Sequence, residues 1–399
     1  MSGALIRLYA PATALMLVTV ISYVDRNTLA LLAPTILDET GITMAQYGWL
    51  VSAYSIAFMI GNPLWGRVLD RIGVRVGMSA AVVLWTLASV AHAFAGTPLG
   101  FAVARAWLGL GEGAAAPGGL RVVTQTLPAS SRSRGIALAY SGGSAGALLT
   151  PLIITPVAAH WGWRGAFWFT GVLGALWLAA WLGLSRREDL RSAPSAEARA
   201  RAPLSAAPSL RDPRVWGFLG AYALGALPLG FTVYSSALYL SRVLHQPQAA
   251  IGAVLWVPPL GSELGIFFWS FVLERMAARS TRLAALQRLL PLALVLGLPL
   301  ALLPYHHGFA LTLVQFFAAM FVASAFQLLL ISYATEVFAH EHAGYVAGLA
   351  SGAYGAGLAL LMPVFGRLFD AARFDVAFAL AAACPAVGYC VFRLCTRNR

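Results

Sequence analysis

The chain carries twelve apolar stretches, each close to the roughly 20 residues a helix needs to cross a bilayer's hydrocarbon core. They run at about 8–33, 46–67, 74–95, 98–124, 134–158, 162–184, 215–241, 249–273, 284–304, 308–333, 344–368 and 375–395. This pattern confines the fold. Backbone polar groups inside a bilayer must be satisfied within the protein, so only helices and closed barrels span it. The stretches are long and continuously apolar, without the alternation of barrel strands, so they read as helices. The expectation is an all-α membrane protein of twelve transmembrane helices in two six-helix bundles. Composition agrees: 59% of residues are hydrophobic and 11% charged, where a soluble domain averages about 25% charged.

The net charge of +12 comes from 27 Arg and no Lys. Such a balance could mark an acidic partner, but the Arg residues sit in loops between spans, where they set topology. No nucleic-acid partner is expected. Arg67, Arg71 and Arg75 follow span two, Arg121, Arg132 and Arg134 flank the loop after span four, and Arg275, Arg279, Arg282 and Arg288 follow span eight. The loops after spans one and three carry none. The positive-inside rule then places both termini in the cytoplasm, in a multi-pass protein of the inner membrane. The apolar run from Leu8 to Ala33 is too long, and too charged, for a cleavable signal, and reads as the first span. Residues 185–214 hold seven Arg, four acids and many Ala, Ser and Pro, the composition of a flexible cytoplasmic linker. It separates an N-terminal bundle, 1–184, from a C-terminal bundle, 215–399.

The halves echo each other. Span five runs Ser141-Gly142-Gly143-Ser144-Ala145-Gly146 and meets Pro151; span eleven carries Gly348, Ser351, Gly352, Gly355 and Gly357 and meets Pro363. Small residues let helices approach and Pro weakens the backbone ladder. Paired, interrupted helices in two halves suggest a transporter working around a central site.

Four charges lie inside spans: Asp25 and Arg26 in the first, Arg105 and Glu112 in the fourth. Intramembrane charges are expensive and usually functional. Arg105 and Glu112, seven residues apart, share a helix face about 10 Å apart. Asp25 and Arg26 point about 100° apart and make a poor pair, leaving Arg26 to meet a ligand or another helix. A guanidinium grips carboxylates bidentately at any working pH, which suits an anion anchor. Buried carboxyls suit proton carriage. A static network bracing helices one and four is the competing reading.

Gly66-Arg67-Val68-Leu69-Asp70-Arg71-Ile72-Gly73-Val74-Arg75 resembles the signature loop of the major facilitator superfamily. There it latches the cytoplasmic ends, so Gly66, Asp70, Arg71 and Arg75 are expected to gate, with Phe271-Val272-Leu273-Glu274-Arg275 as a decayed copy. Arg105-Ala106-Trp107-Leu108-Gly109-Leu110-Gly111-Glu112-Gly113, Tyr23-Val24-Asp25-Arg26, Gly162-Trp163-Arg164 and Gly261-Ser262-Glu263-Leu264-Gly265 together resemble the anion:cation symporter family, which includes hexuronate and galactonate carriers and sialin. Glu336-Val337-Phe338 resembles the end of that family's tenth helix, and Glu336 is expected as a gate or loop contact. The resemblance implies proton-coupled symport of an organic anion by alternating access. Arg26 would bind the substrate carboxylate, Asp25 and Glu112 would carry protons, and Arg105 would hold one carboxylate ionised. Glu263 reads as a pocket or structural acid. Aromatic candidates for the cavity are Tyr23, Phe58, Tyr140, Tyr234, Trp256 and Tyr354. The first helix and Gly-Glu pair also resemble spinster-type lipid carriers, so lipid or drug export is the alternative function.

An enzyme is not expected, since no nucleophile, acid–base pair or metal cluster converges. The chain has no Lys and no phosphate-binding Gly-x-x-x-x-Gly-Lys-Ser/Thr loop. No cofactor or metal is expected, and the working unit is read as a monomer in the lipid bilayer. Trp161, Trp163, Trp181 and Trp216 read as an interfacial belt. Sugar-acid carriers often have Tyr where Phe58 stands and Gln near Gly143, so donors for sugar hydroxyls are missing here. We therefore expect a less hydroxylated carboxylate, aromatic or short-chain, to win an uptake screen. A clear win for polyhydroxylated sugar acids would contradict that.

Overall fold

The computed structural model describes residues 3–191, 208–338 and 343–396, with side chains from 7 and from 345 in the first and last of these. All regular structure among them is helical. Gly3–Thr40 is the first span. Met44–Phe94 contains the second and third, which meet at Gly73, where φ is 79°. Arg132–Leu184 contains the fifth and sixth, which meet at Gly162, where φ is 68°. Both turns lie in the left-handed region that glycine reaches without strain, which lets two helices join with no loop between them. Pro98–Glu112 and Ala115–Thr126 form the fourth span. Pro213–Gly225 with Leu227–Arg242, Gln248–Val254 with Val257–Ala277, and Arg282–Gly297 with Leu298–Tyr305 form spans seven to nine. Phe309–Val337, Ala343–Asp370 and Phe374–Thr396 complete the twelve.

Caps explain several boundaries. Thr97 accepts from the Gly100 N–H at 3.2 Å with Pro98 at the first helical position, and Thr281 accepts from Ala284 N–H at 3.2 Å. Each satisfies a donor that the helix start leaves open. Asp212 caps the seventh span and pairs with Arg214 at 2.6 Å.

The chain divides into two compact units, residues 1–42 with 53–203, and residues 43–52 with 204–399. Most of the expected 185–214 linker lies outside the described residues. On its near side Glu188–Arg191 is a short helix, and Arg187 joins Asp189 at 2.7 Å and the Arg7 carbonyl at 2.6 Å.

In the first unit the fifth span lies directly on the first. A Cβ added to Gly146 would stand 2.6 Å from Tyr23 Cβ and 2.7 Å from the Val20 carbonyl oxygen. The fourth span approaches the second as closely, since a Cβ on Gly113 would stand 2.6 Å from the Gly61 carbonyl carbon. The second unit repeats this plan: the eleventh span meets the seventh where Gly357 faces Ala223, and the eighth meets the tenth where Gly261 and Gly265 face the Phe317 and Phe321 backbones. The helix interruptions fall elsewhere than the sequence suggests. Spans five and eleven run unbroken through Pro151 and Pro363. The ladder breaks in spans four, seven and eight instead, beside Gly113, Ala226 and Trp256, and span nine tightens to a 3-10 helix after Gly297. A Pro inside a packed bundle loses one ladder bond that neighbouring groups can offset.

The tryptophans also divide. Trp161 and Trp216 are exposed, as belt residues are, but Trp163 and Trp181 are buried. Their ring N–H groups donate to Glu39 Oε2 at 2.6 Å and to the Arg75 carbonyl at 3.3 Å. Arg164 also pairs with Glu39 and lies over the Trp163 ring at 4.1 Å, so Gly162-Trp163-Arg164 ties the start of span six to the end of span one.

Within the second unit, residues 43–52 pack on the end of span eleven. Asp370 Oδ1 and Oδ2 accept from the Met44 and Ala45 N–H groups at 2.9 and 2.8 Å. Ser52 donates to the Ala359 carbonyl at 2.6 Å, two turns further along. A carboxylate on a helix N-terminus satisfies open donors and complements the dipole. Asp370→Ala should lower stability by about 1 kcal/mol, read as an earlier thermal unfolding midpoint in detergent, while Asp370→Asn, which keeps an acceptor, should lose less.

Candidate functional site

The four charges of spans one and four all fall in the first unit. Asp25, Arg105 and Glu112 are 1%, 0% and 0% exposed. Arg26 is the half-buried member. Its Nη2 meets Glu112 Oε2 at 3.3 Å, joining the first span to the fourth. Tyr54, on the second span, donates to the same oxygen at 2.5 Å. The guanidinium carbon lies 4.6 Å from the Tyr23 ring centroid, 5.1 Å from Tyr54 and 4.9 Å from Phe58. Three aromatic rings thus surround one cation. Ring faces attract cations more strongly where water is excluded, so the cage holds Arg26 in place without supplying another anion.

Backbone closeness makes this arrangement reachable. Gly109 sits directly on the Tyr54 carbonyl, which brings Glu112, one turn further on, against the second span. Gly143 does the same for Tyr23: a Cβ there would stand 3.0 Å from the ring. A larger side chain at 143 would push Tyr23 off Arg26.

Arg105 makes no ion pair with Asp25 or Glu112 within 4 Å. Its Nη2 donates to the Arg26 backbone carbonyl at 3.1 Å, and its guanidinium lies 5.4 Å from the Tyr54 ring. Its Nε and Nη1 meet no hydrogen-bond acceptor among the described residues. The close ion pair of the cluster is Arg26–Glu112, while Arg105 braces the first span from behind.

Asp25, one residue before Arg26, turns the other way. Its Oδ1 accepts from Ser89 Oγ on the third span at 2.7 Å, and Ser89 Oγ lies 2.7 Å from Thr170 Oγ1 on the sixth. His92, one turn beyond Ser89, is fully buried; its Nδ1 meets the Ala88 carbonyl at 2.7 Å and its ring stacks on Phe167 at 4.8 Å. The carbonyl can only accept, so Nδ1 carries the hydrogen.

The other expected residues are more scattered. Tyr140 donates its hydroxyl to the Ala116 carbonyl at 2.9 Å and so faces the fourth span's far half. In the second unit Tyr234 is buried, its carbonyl accepting from Tyr47 at 3.2 Å. Tyr354 packs on the cluster of Ala226, Leu229, Met320 and Ala323, and Trp256 donates to the Ala253 carbonyl at 3.0 Å. Glu263 is half-buried and makes no hydrogen bond or ion pair among the described residues. It lies off both the face packed on the tenth span, at Gly261, Gly265 and Trp269, and the exposed stripe of Leu264, Phe267 and Phe271.

In the signature loop Asp70 pairs with Arg121 of the fourth span. Arg71 is exposed and Arg75 half-buried. A Cβ on Gly66 would be 4.0 Å from Pro117, an ordinary contact, so Gly73 is the glycine this loop needs. Glu336 pairs with Arg282 at 3.4 Å in the second unit.

Sequence reasoning missed Tyr54, Ser89, Thr170 and His92. Their only signal was polarity inside apolar spans, and Ser, Thr and Tyr are too common there to stand out. The tyrosine one turn from Phe58 was the readable case.

A twelve-helix protein with an ion pair between two spans and a second buried acid is built as a membrane transporter is built. The Major Facilitator Superfamily model matches residues 15–359, and the chain belongs to that superfamily. It is 30% identical over 269 residues to the hexuronate transporter of Escherichia coli (strain K12), covering 64% of this chain and 62% of that one. It is 30% identical over 269 residues to the galacturonate transporter of Dickeya chrysanthemi, covering 64% and 78%. Among solved structures it resembles a bacterial homolog of the human lysosomal transporter Spinster, inward-facing and occupied, with a TM-score of 0.79 at 17% identity over 97% of this chain and 96% of that one. At that identity the likeness concerns the fold.

Removing one member of a buried pair strands the other. Arg26→Ala should therefore destabilise the protein by about 3 kcal/mol, and adding Glu112→Gln should recover much of that loss. Chemical denaturation of the two variants in detergent reads the difference.

Proposed function

We propose that this protein is a secondary active transporter that couples the uptake of an organic anion to protons by alternating access. The observation that carries the reading is the Arg26–Glu112 pair. Its cation is half-buried and its acid fully buried. An incoming carboxylate is the natural competitor for Arg26, because it can engage the guanidinium through two parallel hydrogen bonds. Glu112 then loses its cation. A buried carboxylate left with a tyrosine hydroxyl but no cation is costly, so Glu112 takes a proton as the substrate binds. Anion and proton enter together and leave together. Asp25 supplies a second proton site, and Arg105 holds the first helix in register.

Superfamily membership supports transport, and the named activities of the relatives support an acidic substrate. Tyr54 and Tyr140 already spend their hydroxyls on Glu112 and Ala116, and Phe58 has none. Of the three rings around Arg26, Phe58 has no hydroxyl, Tyr54 has given its own to Glu112, and Tyr23 keeps the one open donor among the described residues. That favours a carboxylate with a flat or short body over a polyhydroxylated sugar acid, since a site with one open donor gains little from many hydroxyls. Tyr234, Trp256, Tyr354 and Glu263 are the second half's substrate and proton candidates. Asp70 with Arg121, and Glu336 with Arg282, would act as latches on the Arg-rich side, which the loop charges assign to the cytoplasm. The protein would work as a monomer in the inner membrane.

Proton flux into proteoliposomes, read by an internal pH dye against galacturonate, phenylacetate and lactate, tests the proposal. One class should drive proton entry in the wild type and none in Glu112→Gln. Equal flux in the two proteins would remove Glu112 from coupling. No flux with any acid in the wild type would contradict symport.

A further inference from the structure

Proton coupling at Asp25 meets a difficulty that the fold must solve. The side chain is 1% exposed, yet it would have to be stable with and without its proton. Buried polar groups need partners in every state they visit. The hydroxyls behind Asp25 meet that need at Oδ1, while Oδ2 has no hydrogen-bond partner among the described residues. Asp25 Oδ1 lies 2.7 Å from Ser89 Oγ, Ser89 Oγ lies 2.7 Å from Thr170 Oγ1, and Thr170 Oγ1 lies 3.1 Å from the Phe167 carbonyl. A hydroxyl donates one hydrogen and also accepts.

The row therefore has two complete settings. With Asp25 ionised, the hydrogens point toward it: Thr170 donates to Ser89, and Ser89 donates to Oδ1. With Oδ1 protonated, they point away: Oδ1 donates to Ser89, Ser89 to Thr170, and Thr170 to the Phe167 carbonyl. Every hydroxyl hydrogen has an acceptor in both settings. Either direction fits the Ser89–Thr170 contact.

We propose that Ser89 and Thr170 form a reversible hydroxyl row that lets Asp25 gain and lose the coupling proton while buried. The proposal rests on the symport reading. Both are positioning residues, on spans three and six. The coupling proton comes from water on the loading side, resides on Oδ1 and returns to water on release. The Ser89 and Thr170 hydrogens only rotate about their C–O bonds, and none is passed on.

The charged groups acting on Asp25 are Glu112 and Arg105 from the fourth span. Arg26 is turned to Glu112. His92 is the titratable neighbour on the third span, its ring stacked on Phe167, the residue whose carbonyl ends the row. On the sixth span Arg164 is engaged with Glu39.

The two settings differ in what they demand. A charged carboxylate draws on both donors in line, because each hydrogen bond polarises the next. The neutral acid needs only one acceptor. Removing Thr170 therefore burdens the ionised form and hinders proton release.

The test compares wild type, Thr170→Val and Thr170→Ser in proteoliposomes across a pH series. The probe is whichever of galacturonate, phenylacetate and lactate drives proton flux in the wild type. Net pH-driven uptake needs proton release, whereas exchange of internal for external substrate does not. In Thr170→Val the half-maximal pH for net uptake should rise by about one unit and net uptake should fall about tenfold, with exchange unchanged. Thr170→Ser, which keeps the hydroxyl, should match the wild type. An unchanged pH profile in Thr170→Val would overturn the hydroxyl row and leave symport standing. Parallel loss of exchange and net uptake, with a lower thermal midpoint, would make Thr170 a packing residue and also overturn it. Absence of proton flux in the wild type would overturn both readings.

Discussion

A charge within the bilayer must find a partner inside the protein, and that constraint organises the first half of this molecule. Arg26 and Glu112 come from different helices, and each would be costly alone. Their pairing needs the fourth span to lie almost on the second, which Gly109 and Gly113 permit. It also needs Tyr23 to sit over Arg26, which Gly143 permits. The small residues of spans four and five are thus the local condition for the charge pair. The pair in turn suits chemistry, because a partner held by one ion pair and one tyrosine can be displaced by a better anion.

Asp25 shows the same constraint met by other means. It has no cation within ion-pair distance among the described residues, and a row of hydroxyls serves it instead. Two buried acids on different helices of one unit, Asp25 on the first span and Glu112 on the fourth, therefore live in unlike surroundings. One answers to a guanidinium that an anion can claim. The other answers to hydroxyls that reorient. Two carboxyls placed in contrasting environments are a general way to divide two proton tasks. Spans one, two, three, four and six all contribute, so the site is a property of the whole unit.

Much of the fold was legible in the chain. Span-length apolar stretches and Arg-rich loops specify twelve helices because the bilayer leaves few alternatives. The four intramembrane charges were legible for the same reason. Partnership was harder. Spacing put Arg105 and Glu112 on one face, and that arithmetic holds along one helix, but the partner of Glu112 comes from another helix whose approach no spacing reveals. Ser89 and Thr170 lie 81 residues apart and look like ordinary small residues until the helices are assembled. Trp163 and Trp181 read as interfacial because Trp near span ends usually is. Here local acceptors, Glu39 and the Arg75 carbonyl, draw them inward. Pro151 and Pro363 promised interruptions, but packing carries those helices through.

Symport requires anion and proton to move together, so accumulation against a gradient separates it from passive transport. Proteoliposomes loaded at alkaline pH and diluted into acid medium would be offered the radiolabelled acid that the protein accepts. Coupled symport predicts that internal label rises above the external concentration, and that nigericin, by collapsing the pH difference, releases the excess. Label that only equalises across the membrane, with or without the pH difference, would contradict coupling and leave a facilitator of anion diffusion.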